Sequence, residues 1–139
     1  MAEGQVQQAM EPAPAATAPV IVVGYSTKPE GRAALARALV EAALRHGKLV
    51  VVHTTLEVEV GDLRAELDKS GVPYEICEAA DSLDPAEELI ATADDRQAEF
   101  IIIGLRRRSP VGKLLLGSNA QRVLLDASCP VLAVKAAAS

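Results

Sequence analysis

Residues 104 to 119 have the types and spacing best suited to chemistry. Gly104-Leu-Arg-Arg107 is followed by nine residues and then by Gly117-Ser118-Asn119. An apolar strand predicted over Phe100 to Ile103 runs into this segment, and a helical pattern from about Asn119 to Asp126 leaves it. The first N–H groups of a helix have no intrahelical partner, and the helix dipole favours negative charge beside them. A strand that ends in a glycine turn and feeds such a helix is an anion-binding device. Charge agrees with this. Between Glu99 and Asp126 stand five bases (Arg106, Arg107, Arg108, Lys113, Arg122) and no acid, in a chain of net charge −5. The segregation points to a phosphorylated small molecule. Arg106 and Arg108 read as a solvated basic loop, whereas the register of Arg107 with Gly104 and Gly117 aims it into the presumed crevice.

The elements that must position these residues follow from hydrophobic periodicity. Residues 1–18, rich in Ala, Pro and Gln, read as a disordered tail, and residues 19–136 as one domain. Val20 to Val23, ended by Gly24, forms the first strand. A helix from Pro29 follows and stops at Gly47. Leu49 to Val52 is the second strand, and Asp62 caps a short helix to Ser70. Val72 to Glu78, less apolar, is a third strand suited to a sheet edge. Asp84-Pro85 opens a helix running to about Gln97, with carboxylates in its first turn. Phe100 to Ile103 is the fourth strand. The last helix, capped by Ser118, leads to a fifth strand at Pro130 to Val134. Such alternation predicts a mainly parallel sheet with helices on both faces. Ligands of open α/β sheets sit beyond the carboxyl ends of the strands, where the winding reverses. If strands one and four flank that reversal, Tyr25-Ser26-Thr27 and the Gly104 loop share one crevice.

Composition narrows the function. Half the 139 residues are apolar and three are aromatic, so Val, Leu, Ile and Ala build the core of an α/β domain. The acidic balance and the lack of stacking aromatics argue against nucleic acid. Residues 54–99 hold fourteen of the nineteen acids against three bases, which reads as solvated helix faces. Cys77 and Cys129 read as small buried hydrophobes, and His53, closing a strand, as a packing residue. No zinc-ligand spacing, membrane span or signal peptide is evident, so the expected location is the cytoplasm. The loop is not a Walker P-loop, because Leu114 follows Gly112-Lys113. Gly24-Tyr-Ser-Thr-Lys28 is not a dinucleotide fingerprint, and no Ser-Gly-Gly loop of ATP-cleaving ligases appears. No serine or cysteine neighbours a histidine in sequence.

Three segments carry a family resemblance: Ile21-Val-Val-Gly24, the run Ile102-Ile-Gly104-Leu-Arg-Arg-Arg-Ser-Pro-Val-Gly-Lys-Leu-Leu-Leu-Gly117-Ser118, and Ser128-Cys-Pro130-Val-Leu-Ala-Val134. From about Val20 to Lys135 the sequence resembles the universal stress protein family. The resemblance implies a five-stranded sheet of order 3-2-1-4-5 and a homodimer, here paired through the last strand, Val131 to Val134. It also implies a stress-response regulatory protein rather than an enzyme, or at most a slow ATP hydrolase. Many members bind ATP through a G-x2-G-x9-G-[ST] signature. Gly104, Gly117 and Ser118 match that signature, and Arg107 replaces its second glycine. The family's usual adenine-contacting aspartate falls on Ser26. By this resemblance Tyr25, Ser26, Thr27 and Thr54 line the base and ribose of an adenine nucleotide (ATP or AMP). Gly104, Arg107, Gly117, Ser118 and Asn119 hold its phosphates, with or without Mg²⁺. Arg107 leaves two readings open: a charged fork replacing a backbone donor, or a plug in a nucleotide-free interaction module.

Overall fold

Unbroken aliphatic runs become strands here because both faces of the sheet are covered. A computed structural model describes residues 18–53, 60–78, 84–106 and 117–136. Its elements are β1 (Val20–Tyr25), α1 (Pro29–Arg45), β2 (Lys48–His53), α2 (Val60–Ser70), β3 (Tyr74–Glu78), α3 (Pro85–Arg96), β4 (Phe100–Leu105), α4 (Ser118–Asp126) and β5 (Val131–Lys135). The strands pair in parallel in the order β3-β2-β1-β4-β5, as expected, with β3 at one edge and β5 at the other. No described helix is long and apolar enough to cross a membrane.

Successive residues of a strand point to opposite faces, which divides the core in two. On one side Ile21, Val23, Leu49, Val51 and Ile102 meet Ala34, Leu35, Ala38 and Ala42 of α1 and Leu63 and Leu67 of α2. On the other, Val22, Val50, Val52, Ile101 and Ile103 meet Ala86, Leu89 and Ala93 of α3 and Val123 of α4. Full burial of each large aliphatic side chain is worth about 1.5–3 kcal/mol, so these layers dominate stability.

Several boundaries differ from the sequence reading, each for a physical reason. Gly24 and Gly104 do not end their strands. They continue the ladders opposite Val52 and Val134, so Gly104 is a strand residue rather than a turn residue. Asp62 lies in the first turn of α2, which starts at Val60, and so is not its cap. The α1 stop expected at Gly47 falls on His46, which takes the left-handed conformation (φ 53°) while its N–H reaches back to the last turn. Ser118 is the first residue of α4, and Gly117 occupies the cap position.

What Gly104 permits is close contact with α1. A Cβ placed there would lie 1.9 Å from the carbonyl oxygen of Glu30, in the helix's first turn. At Gly31 a Cβ would lie 2.2 Å from the Ser26 hydroxyl and 2.4 Å from the Ser26 nitrogen. Small residues thus let the start of α1 press on both β4 and the loop after β1. Gly104→Ala should therefore destabilise the protein by more than about 2 kcal/mol, because backbone cannot yield as a flexible side chain does. Urea denaturation checks this, and an unchanged midpoint would show that α1 shifts freely.

Candidate functional site

The winding reverses between β1 and β4, and a cleft of about 430 Å³ opens there at the carboxyl ends of the strands. Gly24 and Ser26 line it after β1, Lys28, Glu30 and Gly31 at the start of α1, and Pro85 and Leu89 from α3. Ile103 to Arg106 close it from β4, and Gly117 to Ala120 with Val123 from α4. Three helices begin at this cleft, and their free N–H groups are handled differently.

The start of α3 is occupied from within. One oxygen of Asp84 accepts the Glu87 N–H at 2.8 Å, and the other lies 3.2 Å from Arg122 of α4. Arg122 also donates to Glu87 at 2.8 Å and to Asp126 at 3.4 Å, and its pKa is raised, chiefly by the bond to Glu87. One arginine thereby ties the two helices together. At α1, Pro29 has no N–H to leave unpaired, and the Ser26 hydroxyl oxygen accepts the Lys28 N–H at 3.3 Å.

At the start of α4 no described side chain caps the helix. Its first intrahelical bond runs from the Gln121 N–H to the Gly117 carbonyl at 3.0 Å. The N–H groups of Ser118, Asn119 and Ala120 consequently have no intrahelical acceptor, and Gly117 has no side chain to supply one. Gly117 has φ −68° and ψ 168°, a conformation open to any residue, and a Cβ on it would meet nothing within 4 Å. Among the described residues, then, the fold makes no demand for glycine at position 117.

The charged groups of the described cleft are Lys28, Arg106 and Glu30, with Arg106 Nε 3.7 Å from a Glu30 carboxylate oxygen. No group of three or more His, Cys, Asp or Glu among the described residues is placed to hold a metal. The thiols of Cys77 and Cys129 are half-buried, and burial pushes both pKa values up, which leaves them poor nucleophiles. His53 is buried, 4.0 Å from the Glu78 carboxylate.

The structure brings together Ser26, Gly104, Gly117, Ser118 and Asn119 from the residues expected at the site. Tyr25 is a correction. One residue before Ser26, it faces the opposite layer, where its ring is buried with α1 and its hydroxyl accepts from Arg32 at 3.3 Å. Thr27 is exposed and does not line the cleft. Thr54 and Arg107 lie outside the described residues. Arg106 is exposed, as expected of a solvated loop residue, and also lines the cleft. Glu30 and Lys28 were missed altogether, although a helix starting straight after β1 had to open onto the same switch point.

A parallel sheet of this order defines a doubly wound α/β domain, and the cleft lies at its switch point, where open sheets of this kind take ligands. Comparison with known proteins makes the assignment specific. Residues 18–135 match the universal stress protein family. A universal stress protein of Mycolicibacterium smegmatis is 46% identical over 127 residues, covering 84% of this chain and 97% of the relative. The structure of a universal stress protein from Archaeoglobus fulgidus, 30% identical, superposes with a TM-score of 0.64 over 85% of this chain and 98% of the other. A structure of the universal stress protein from the same organism in complex with dAMP, 25% identical, gives 0.59 over 85% and 98%. The chain belongs to the universal stress protein family.

The Asp84 network generates a stability test. Asp84→Ala should cost about 1 kcal/mol as a lost cap, and Arg122→Ala less, since Arg122 is half-exposed and pairs in water. Because the two share a contact, the double variant should lose less than the sum in thermal melts. Strict additivity would mean that the bridge between the helices contributes nothing.

Proposed function

We propose that this chain binds an adenine nucleotide, with its phosphates on the start of α4 and its base toward Ser26. The observation that carries this is the first turn of α4, which no described side chain caps, behind Gly117, a cleft-lining glycine that no described residue requires on steric grounds. Its free N–H groups and dipole suit a phosphate, and the absence of a side chain at 117 permits close approach. The adenine assignment draws on family membership and on the dAMP complex of the Archaeoglobus fulgidus relative. Gly104 plays an indirect part, by seating α1 rather than by touching phosphate. Ser26 retains a hydroxyl proton to donate, while its oxygen accepts the Lys28 N–H. Arg107 and Thr54 keep the roles assigned from sequence: a charged fork on phosphate, and a wall for the ribose. Of the described cleft residues Glu30 alone is a carboxylate, and Arg106 pairs with it. These residues make a poor magnesium seat, so the proposal includes no metal step. The reading is one of binding and signalling in a stress response, in the cytoplasm, rather than turnover.

Native mass spectrometry and titration calorimetry with ATP and AMP test it. The wild type should bind, and Gly117→Val should remain folded yet lose binding. Ser118→Ala should weaken binding by about 1.5–3 kcal/mol, the worth of a hydrogen bond to a charged acceptor. It should leave stability within about 0.5 kcal/mol, since its side chain is exposed. Arg107→Gly should bind equally or more weakly. A wild type that binds nothing beside an Arg107→Gly variant that binds would establish the plugged, nucleotide-free module instead.

The two sheet edges support a further part of the reading. Glu75 on β3 is ion-paired with Arg96 and lies 3.5 Å from Lys48, whereas β5 offers Val131-Leu-Ala-Val134, all half-buried. An apolar edge strand left open invites pairing, and a second copy satisfies it with two-fold symmetry. Sedimentation at micromolar concentration should show a dimer, and a stable monomer would count against the pairing.

A further inference from the structure

Main chain, rather than side-chain attraction, brings Glu30 and Arg106 together at the cleft. The Glu30 carbonyl sits against Gly104, and Arg106 follows two residues later, directly after β4. The Glu30 side chain is 19% exposed and lines the cleft, while that of Arg106 is 52% exposed with its Nε 3.7 Å from the carboxylate. An ion pair that is half in water and too long for a strong hydrogen bond is weak and readily exchanged. The backbone therefore keeps both residues at the cleft, and the guanidinium, the more exposed partner of a weak pair, can exchange the carboxylate for another anion.

That arrangement sets a conflict. A phosphate on the open start of α4 enters the same cleft and attracts Arg106 away from Glu30. The carboxylate then remains, poorly solvated, beside a ligand of its own sign. The repulsion grows with each further phosphate charge. We propose that Glu30 is the charge-specificity determinant of this cleft: it competes with the ligand for Arg106 and penalises a nucleoside triphosphate more than a monophosphate. The inference rests on the nucleotide reading given above and narrows it toward ligands of low phosphate charge. A purely local function for Glu30, as an acid in the first turn of α1, predicts a change in stability but none in ligand preference.

Calorimetry on the full chain with AMP, ADP, ATP and inorganic tripolyphosphate separates these. Glu30→Gln keeps the size of the side chain and should tighten ATP roughly tenfold, but AMP by no more than about threefold, with the gain shrinking at high salt. Arg106→Gln, a change at the surface, should weaken ATP more than AMP. An equal effect of Glu30→Gln on AMP and ATP, or weaker ATP binding, would overturn the proposal. If tripolyphosphate shows the Glu30 effect while no nucleotide binds, the charge role stands and the nucleotide reading fails. If neither variant nor wild type binds any of the four, both fail.

Discussion

The first turn of α1 rests on the main chain of β4 at Gly104 and on the loop after β1 through Gly31, with no space for a methyl group at either place. Much else in the molecule depends on that contact. It fixes how closely α1 can approach the point where the sheet changes direction. It agrees with the small residues Gly31, Ala34, Ala38 and Ala42, which share the buried face of the helix with Leu35 and Glu41. It also delivers Lys28 and Glu30 to a cleft whose other walls come from elements distant in sequence. A backbone contact of this kind has no soft degree of freedom, and the cleft inherits its rigidity.

Opposite that wall, α3 and α4 differ at their starts. Asp84 accepts one donor of α3, the Glu87 N–H, with one oxygen and engages Arg122 with the other. Among the described residues, no side chain caps the donors of α4. Two helices that look alike in the fold thus have opposite chemistry at their starts: one brings its own carboxylate, and the other faces the cleft without one. Burial raises the pKa of both half-buried thiols, Cys77 and Cys129, and His53 is buried.

Much of the architecture was legible because strands buried on both faces must be continuously apolar, and runs such as Leu49 to Val52 have no other stable use. The weaker apolarity of Val72 to Glu78 marked an edge, and Asp84-Pro85 marked a helix start with its cap. The site was legible only in part. An all-apolar run gives no alternation from which to tell that Tyr25 faces away from Ser26. A glycine that ends a strand and one that makes room for a helix are the same letter, so Gly104 was assigned to a turn. In Gly117-Ser118 either residue can cap, and serine has the stronger preference. The Glu30–Arg106 pair joins positions that only the topology brings together. Arg107 and Thr54 belong to segments outside the described residues, and their roles rest on sequence alone.

Gly104 and Gly117 belong to the same sequence signature but answer to different masters. Loss of the first strikes the seat of α1 against the sheet; loss of the second costs the described fold little. Selection on a ligand and selection on folding therefore act on separate letters of one motif. In a lineage where the ligand ceased to matter, position 117 would be free to drift while position 104 stayed glycine. On the binding reading proposed above, position 104 would then report the fold, and position 117 whether a ligand is still held.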